Sequence, residues 1–406
     1  MKINSISFSN YKAFKSKQSI ELKPITLLIG KNSSGKSSIA KLFTLLENSL
    51  SGNHSEPLTM SNSNVVLGGE FRDLVYNRQP FGPIDFSLNF DDNKVLEVSV
   101  LAAPNGYELI IVKWKFTSAN YSLDLTFTPA AGYTDLAGES YNCLFKGFVP
   151  VKLEKQSDGQ NILDNLQTDF NIDVDYIGPF RILPDRQFHL IGKMEYEKTG
   201  VKGEFAYPLL GVSEYLKKDL HIEVGAWYKD HFNGWELKLE SKNKPFIEVV
   251  LEKGDSQINI VDVGQGMNQA LPLVVRSHIP RKGSIIVLEQ PELHLHPAAH
   301  ADLAELFAKS AKKYGQNFVI ETHAENIILR LRKLIVENDF GLTENDVIIY
   351  WVEDAEMGGQ EVTSIQIDTE GVLSDWPEGV FNENIDEILE IKNALKRKKA
   401  AAQNDL

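Results

Sequence analysis

Eight residues near the start of the chain, Gly30-Lys31-Asn32-Ser33-Ser34-Gly35-Lys36-Ser37, restrict its fold more than any other feature. The pattern G-x4-G-K-S follows an apolar run, Ile25–Ile29, and precedes Ile39, Leu42, Phe43 and Leu46, whose spacing is helical. A strand, a glycine loop and a helix in that order form a cradle for phosphate. The glycines let the backbone wrap an anion, and the free amides at the helix N-terminus add the positive end of the helix dipole. Asn32, Ser33, Ser34, Gly35, Lys36, Ser37 and Ser38 are therefore expected to surround the phosphates of a nucleoside triphosphate. In this reading Lys36 reaches the β- and γ-phosphates and the Ser37 hydroxyl is a ligand of Mg²⁺.

Three further patterns lie well downstream. Ser284-Ile-Ile-Val-Leu288-Glu289-Gln290-Pro291-Glu292 is an apolar strand ending in a carboxylate, the arrangement that holds Mg²⁺ opposite a phosphate loop, and Glu289 is the candidate. Asn317–His323 is a second short apolar strand ending in a histidine. His323 either donates to the γ-phosphate or is a surface histidine. Asp262-Val263-Gly264-Gln265-Gly266-Met267-Asn268-Gln269 precedes an apolar helix, Ala270–Val275. Glycines at a helix N-terminus make an anion site. Because the phosphate loop already holds one nucleotide, Gly264, Gly266, Asn268 and Gln269 either serve the nucleotide of a second subunit or form an ordinary turn before the helix.

Taken in order, phosphate loop, glycine-rich signature, acidic strand end and switch histidine resemble the heads of ABC-type ATPases, in the SMC/RecF/OLD branch. The N-terminal phrases NYKAF and LLIGKNSSGKSS, and the later YIGPFR (Tyr176–Arg181), VDVGQGMNQALPLV, LEQPELHLHP, ETHAEN and SDWPEGVF (Ser374–Phe381), carry the likeness. It spans Met1–Phe90 and Ile260–Ile391 and is thin between. The ATPase subunits of the PARIS and Septu phage-defence systems belong to this wider group. The resemblance implies ATP and Mg²⁺ as cofactors, and two heads closing on two ATP molecules. Each ATP would lie between one subunit's phosphate loop and the other's signature.

The chain departs from that pattern at three positions. Asn268 stands about where serine or threonine is usual, Glu289 stands in place of aspartate, and Gln290 occupies the place of the water-activating glutamate. Glutamine orients water but takes no proton at neutral pH. Three readings stand. Glutamine is native, with Glu292 or His323 assisting a slow turnover; or ATP is held as a lasting switch; or the residue is an engineered substitution that traps the ATP state. His294, His296 and His300 sit close together but occupy the D-loop position of such a head, which argues against a zinc site.

The expected fold is α/β: an ABC-type head with a mixed sheet, an antiparallel β subdomain and a helical lobe carrying the signature. Residues 1–95 and 254–391 would form the two halves of the head, 96–253 a mixed insertion, and 392–406 a basic, frayed tail. A helix is expected around Leu209–Leu220, and strands over 86–128, Phe246–Leu251 and Gln257–Ile260. Of 56 acidic residues, 16 fall between Leu334 and Ile391, where Lys and Arg are absent, so the net charge of −14 is regional. One cysteine, Cys143, rules out an internal disulfide, and no run suits a membrane span, so a cytoplasmic protein is expected. The OLD nucleases carry a Toprim domain after the head, and the stretch following His323 is too short for one. The leading reading is thus an ATP-dependent switch, sensor or scaffold for a separate effector, a nuclease, in phage defence. A RecF-like ATPase clamping DNA, and a non-hydrolysing protein in which ATP is structural glue, are the alternatives.

Overall fold

The computed structural model describes residues 2–79, 82–103, 108–163, 166, 170–190, 197–241, 245–376, 390–392 and 394. Of the tail expected to fray, all but residues 392 and 394 lie outside the described residues, as do residues 377–381 of the SDWPEGVF phrase.

The elements run β1 (Ile3–Ser9), β2 (Gln18–Glu21), β3 (Ile25–Gly30), α1 (Lys36–Leu50), β4 (Ser61–Asn62), β5 (Val65–Val66), β6 (Ile84–Phe90), β7 (Val95–Ala102), β8 (Leu109–Thr117), β9 (Ser122–Thr128), β10 (Gly132–Asp135), β11 (Ser140–Lys146) and β12 (Val149–Lys155). Then follow β13 (Val174–Ile177), β14 (Phe188–His189), α2 (Ala206–Tyr215), α3 (Leu220–His231), β15 (Glu236–Glu240), β16 (Phe246–Lys253), β17 (Ser256–Asn259), α4 (Gln265–His278), β18 (Ile285–Glu289), α5 (Pro297–Tyr314), β19 (Asn317–Glu321), α6 (Glu325–Glu337), β20 (Val347–Asp354) and β21 (Gln360–Ile365).

At the centre lies a six-stranded sheet ordered β13-β18-β19-β3-β20-β21, parallel except for its last strand. Its inner strands β3, β18, β19 and β20 are largely apolar because both faces are covered, whereas the edge strand β21 is polar and partly exposed. Side chains alternate between the two faces. Leu28, Ile285, Val287, Val319 and Ile348 pack with α1 and the antiparallel sheet, while Ile29, Ile286, Leu288, Ile320 and Ile349 pack with α4, α5 and α6. A second sheet of nine strands, β12-β11-β10-β9-β8-β7-β6-β1-β2, is antiparallel and lies against α1. It runs unbroken from β6 into β7, so the 95/96 division expected from the sequence falls inside one continuous sheet. The lobe contains α2, α3 and a small antiparallel sheet of β14 to β17, packed on α4.

The helix expected at 209–220 is two helices instead. Lys217, between α2 and α3, takes a left-handed backbone (φ 54°), which ends one helix before Asp219 begins the next. The helix on which the lobe packs, α4, is tied to the central sheet by a buried ion pair. Arg276 of α4 lies 2.7 Å from Asp175 of β13, and the two side chains are 1% and 2% exposed. Its guanidinium also donates to Gln316 and Ser284, while Asp175 accepts from Thr199.

Candidate functional site

Three of the four sequence motifs, the phosphate loop, the acidic strand end and the histidine-ended strand, meet at the C-terminal ends of β3, β18 and β19, where a parallel sheet gathers ligand groups. The phosphate loop leaves β3 at Gly30. A β-carbon there would run into the Val352 carbonyl of the neighbouring strand, so only glycine permits the loop to turn away. At Gly35 (φ 99°), the N-cap of α1, a side chain would press on the Phe14 ring. Phe14 itself is fully buried against Phe8, so the NYKAF segment is the floor beneath the helix start.

Lys36 is buried, and its ammonium donates to the carbonyls of Gly30 (3.0 Å) and Lys31 (2.7 Å). Burial lowers its pKa, and the Glu321 carboxylate opposes that shift. The Ser34 hydroxyl is buried with no hydrogen-bond partner. Asn32 and Ser33 are exposed at the loop's outer turn, where Ser33 takes φ 64°. The first turn of α1, including Ser38, holds no acidic residue, which leaves its positive end free for an anion.

The Ser37 hydroxyl donates to the Glu321 carboxylate at 2.7 Å. Sequence reasoning missed Glu321. It is directly opposite Glu289 across the parallel pair β18–β19, so two carboxylates sit side by side at the strand tips. The signal that could have found it is the recurrence of an apolar strand ending in glutamate. Glu289 is 6% exposed, and its Oε1 has no partner. Burial pushes its pKa up to about 7; the Tyr176 hydroxyl beside it opposes the shift and Glu321 adds to it. Glu321 is raised by burial as well, against the pull of Ser37 and Lys36. Two buried acids beside a lysine and a serine, with an orphaned carboxylate oxygen, suit a divalent cation, since such a charge removes the cost of burying both. Ser37 and Glu289 fit that role and Glu321 is within reach of it.

Gln290 has a left-handed backbone (φ 44°), uncommon for a residue other than glycine and costing about 1–3 kcal/mol. Its amide donates to the Glu321 carbonyl (2.8 Å), and its carbonyl accepts from Arg181 (2.7 Å). Arg181 is 6% exposed and also donates to the carbonyls of Gln269 (3.0 Å) and Pro291 (3.4 Å). Its side chain is thus an internal clamp. Burial brings its pKa down to about 10, with Glu292 resisting. By contrast Arg186 pairs with Asp262 on the surface. The His323 backbone amide donates to Glu292 (2.7 Å), which places the histidine beside the carboxylate cluster. Burial and then Lys36 lower the His323 pKa, favouring the neutral ring.

The signature residues divide. Gly264 and Gly266 stand at the open N-terminal end of α4, with no atom near the space a Gly264 side chain would fill. Asn268 and Gln269 instead turn inward, 3% and 4% exposed, and Gln269 donates to the Arg181 carbonyl (3.4 Å). Within this chain they pack against their own head rather than opening outward, because α4 turns their side of the helix to the buried core. Of the three nearby histidines, His296 caps α5 and His300 contacts the Leu295 carbonyl. Among the described residues no three His, Cys, Asp or Glu side chains are grouped as a metal cluster. No described helix is long and apolar enough to cross a membrane.

The family described as "AAA ATPase domain" matches residues 1–174 and 154–328, and a family described as "Protein of unknown function (DUF3696)" matches residues 342–391. No curated protein matches the chain. Among solved structures, the head of an SMC protein bound to the C-terminal winged-helix domain of ScpA is 15% identical, with a TM-score of 0.50, covering 90% of this chain and 98% of that one. The SMC head with an extended coiled coil from Pyrococcus furiosus, bound to the C-terminal domain of ScpA, is 13% identical, with a TM-score of 0.47, covering 97% and 99%. The SMC head domain from Thermotoga maritima is 12% identical, with a TM-score of 0.43, covering 90% and 100%. The fold is that of an SMC-type ATPase head.

Proposed function

This chain belongs to the AAA ATPase domain family, and from that premise we propose that it binds Mg-ATP at the 30–38 loop, hydrolyses it slowly and closes on a second copy of itself. The observation that carries this reading is the convergence of Lys36, Ser37, Glu289, Glu321 and His323 on one rim, with the Glu289 Oε1 left without a partner. The Lys36 ammonium donates to its own loop carbonyls, and a triphosphate would give it a charged partner there. Bound Mg²⁺ would neutralise phosphate charge, held by Ser37 and Glu289. His323, kept neutral, is a donor or acceptor next to the reacting phosphate. Gln290 orients water, and the proton passes to no strong base, which is the reason to expect slow turnover.

Nucleotide closure of two heads follows from the open glycine end of α4, an anion site with no phosphate of its own chain to hold. We assign the protein the role of a switch or scaffold for a separate effector, a nuclease in phage defence. The support for this is the likeness of its motifs to the ATPase subunits of such systems, and the docking of a separate protein, ScpA, on an SMC head of the same fold.

The deciding experiment is steady-state ATP turnover of the purified chain against Lys36→Ala. Turnover above that blank makes it an ATPase despite Gln290; binding without turnover makes ATP a held ligand. Light scattering checks the dimer: mass doubles on adding Mg-ATP to the unmodified chain, and Lys36→Ala stays monomeric.

A further inference from the structure

We infer that Arg181 is a positioning residue that sets the Gln290 backbone and the signature helix α4 with one guanidinium, and so couples the two nucleotide sites of a closed dimer. The first half rests on geometry within one chain. Gln290 sits in a left-handed conformation that its own side chain disfavours, and such a residue persists only when its surroundings hold it. Its amide is tied to the Glu321 carbonyl and its carbonyl to Arg181 Nη2 at 2.7 Å. Without the second tie the residue is free to relax, and the Gln290 side chain leaves its aim.

The other terminal nitrogen of Arg181, Nη1, donates to the Gln269 carbonyl within α4, and Gln269 returns a bond to the Arg181 carbonyl. One rigid planar fork therefore spans two elements. Gln290 follows the strand that serves the chain's own nucleotide, whereas the N-terminal end of α4 leaves Gly264 exposed with open space around it and Gly266 half-buried beside the His294 carbonyl. The coupling half rests on the sandwich reading above, in which those glycines meet the partner's nucleotide. A shift of Gln290 at one site then moves the helix that contacts the other. Among the described residues the hydrogen bonds of the Arg181 guanidinium all go to carbonyls, with the Glu292 carboxylate acting on it only through its charge. Planarity and several fixed donors are what the bridge needs, and lysine supplies neither.

The test is ATP turnover, and binding of a fluorescent ATP analogue, for Arg181→Lys and Arg181→Met beside the unmodified chain. We expect kcat to fall by ~10- to 100-fold with nucleotide affinity within about threefold, since misaiming without loss of binding acts on the chemical step. The cooperativity of turnover with ATP should fall towards a Hill coefficient of about one. Unchanged kcat overturns the inference, and so does a kcat loss matched by an equal loss of affinity and a large drop in melting temperature. Should the variants fail to fold, hydrogen exchange on the unmodified chain decides: the amides of Glu289, Gln290, Glu292 and Leu293 and those of 266–270 gain protection together on ATP binding, and protection of only one segment overturns the claim. A non-cooperative, always monomeric unmodified chain sinks the sandwich reading and the coupling together. A cooperative unmodified chain with an equally cooperative Arg181→Lys sinks the coupling alone.

Discussion

Glu289 and Glu321 end neighbouring parallel strands, and burial raises both. For Glu289 the folded value of about 7 lies above the ordinary glutamate value of 4.5, so the folded chain keeps a proton that the unfolded chain has already lost. Apo stability contributed by this group is therefore present below about pH 4.5 and is lost as pH rises towards 7. Glu289→Gln should remove that slope and stabilise the apo chain at pH 8 by on the order of 1–3 kcal/mol, measured by urea melts across pH. Mg²⁺ binding has the opposite sign, because a bound cation needs the carboxylate. Metal-dependent nucleotide affinity should rise by up to ~10-fold between pH 6 and 7 in the unmodified chain. At the next residue, Gln290→Glu introduces a proton acceptor at the water. Turnover should rise ~10-fold or more above the unmodified chain, and a rate that stays flat or falls would show that Gln290 is not at the water.

At the scale of elements, the phosphate loop works because β3 and α1 are held at a set angle by buried neighbours. Gly30→Ala places a β-carbon on the Val352 carbonyl, so nucleotide binding should be lost while the β1–β12 sheet still folds, visible as a near-native circular dichroism spectrum. The tie between β13 and α4 is electrostatic. Removing only one partner of the Arg276–Asp175 pair leaves a buried charge alone, and Arg276→Ala should cost about 3–5 kcal/mol by denaturant unfolding. Arg276→Met with Asp175→Leu should recover part of that loss. Apolar strands around the site were legible because parallel strands covered on both faces read as continuous apolar runs. The lobe was less legible. Its helices are short, and a single left-handed residue, Lys217, divides what periodicity alone merges into one.

Across the whole molecule, two packed layers share the central sheet: the nine-stranded antiparallel sheet with α1 on one face, α4, α5 and α6 on the other. The nucleotide rim lies where these layers meet the strand tips. A boundary drawn after residue 95 by the change in sequence pattern cuts into β7 behind its first residue, and β7 is paired with β6 in one sheet. Limited proteolysis should therefore find no stable fragment ending near residue 95; release of such a fragment would contradict the continuous sheet.

By itself the sequence determined the strand, glycine loop and helix around 30–38, the apolar strands that lead to Glu289 and towards His323, and the α/β class. These are local statements: a glycine pattern, an apolar run and its terminal residue each follow from a few consecutive positions. Tertiary structure decided what touches what. That Ser37 bonds Glu321, that Arg181 clamps Gln290 to Gln269, and that Asn268 and Gln269 face inward all depend on strands and helices brought together from far along the chain. No local pattern encodes such contacts, because register between β18 and β19 and the seating of α4 are set by packing of the whole core.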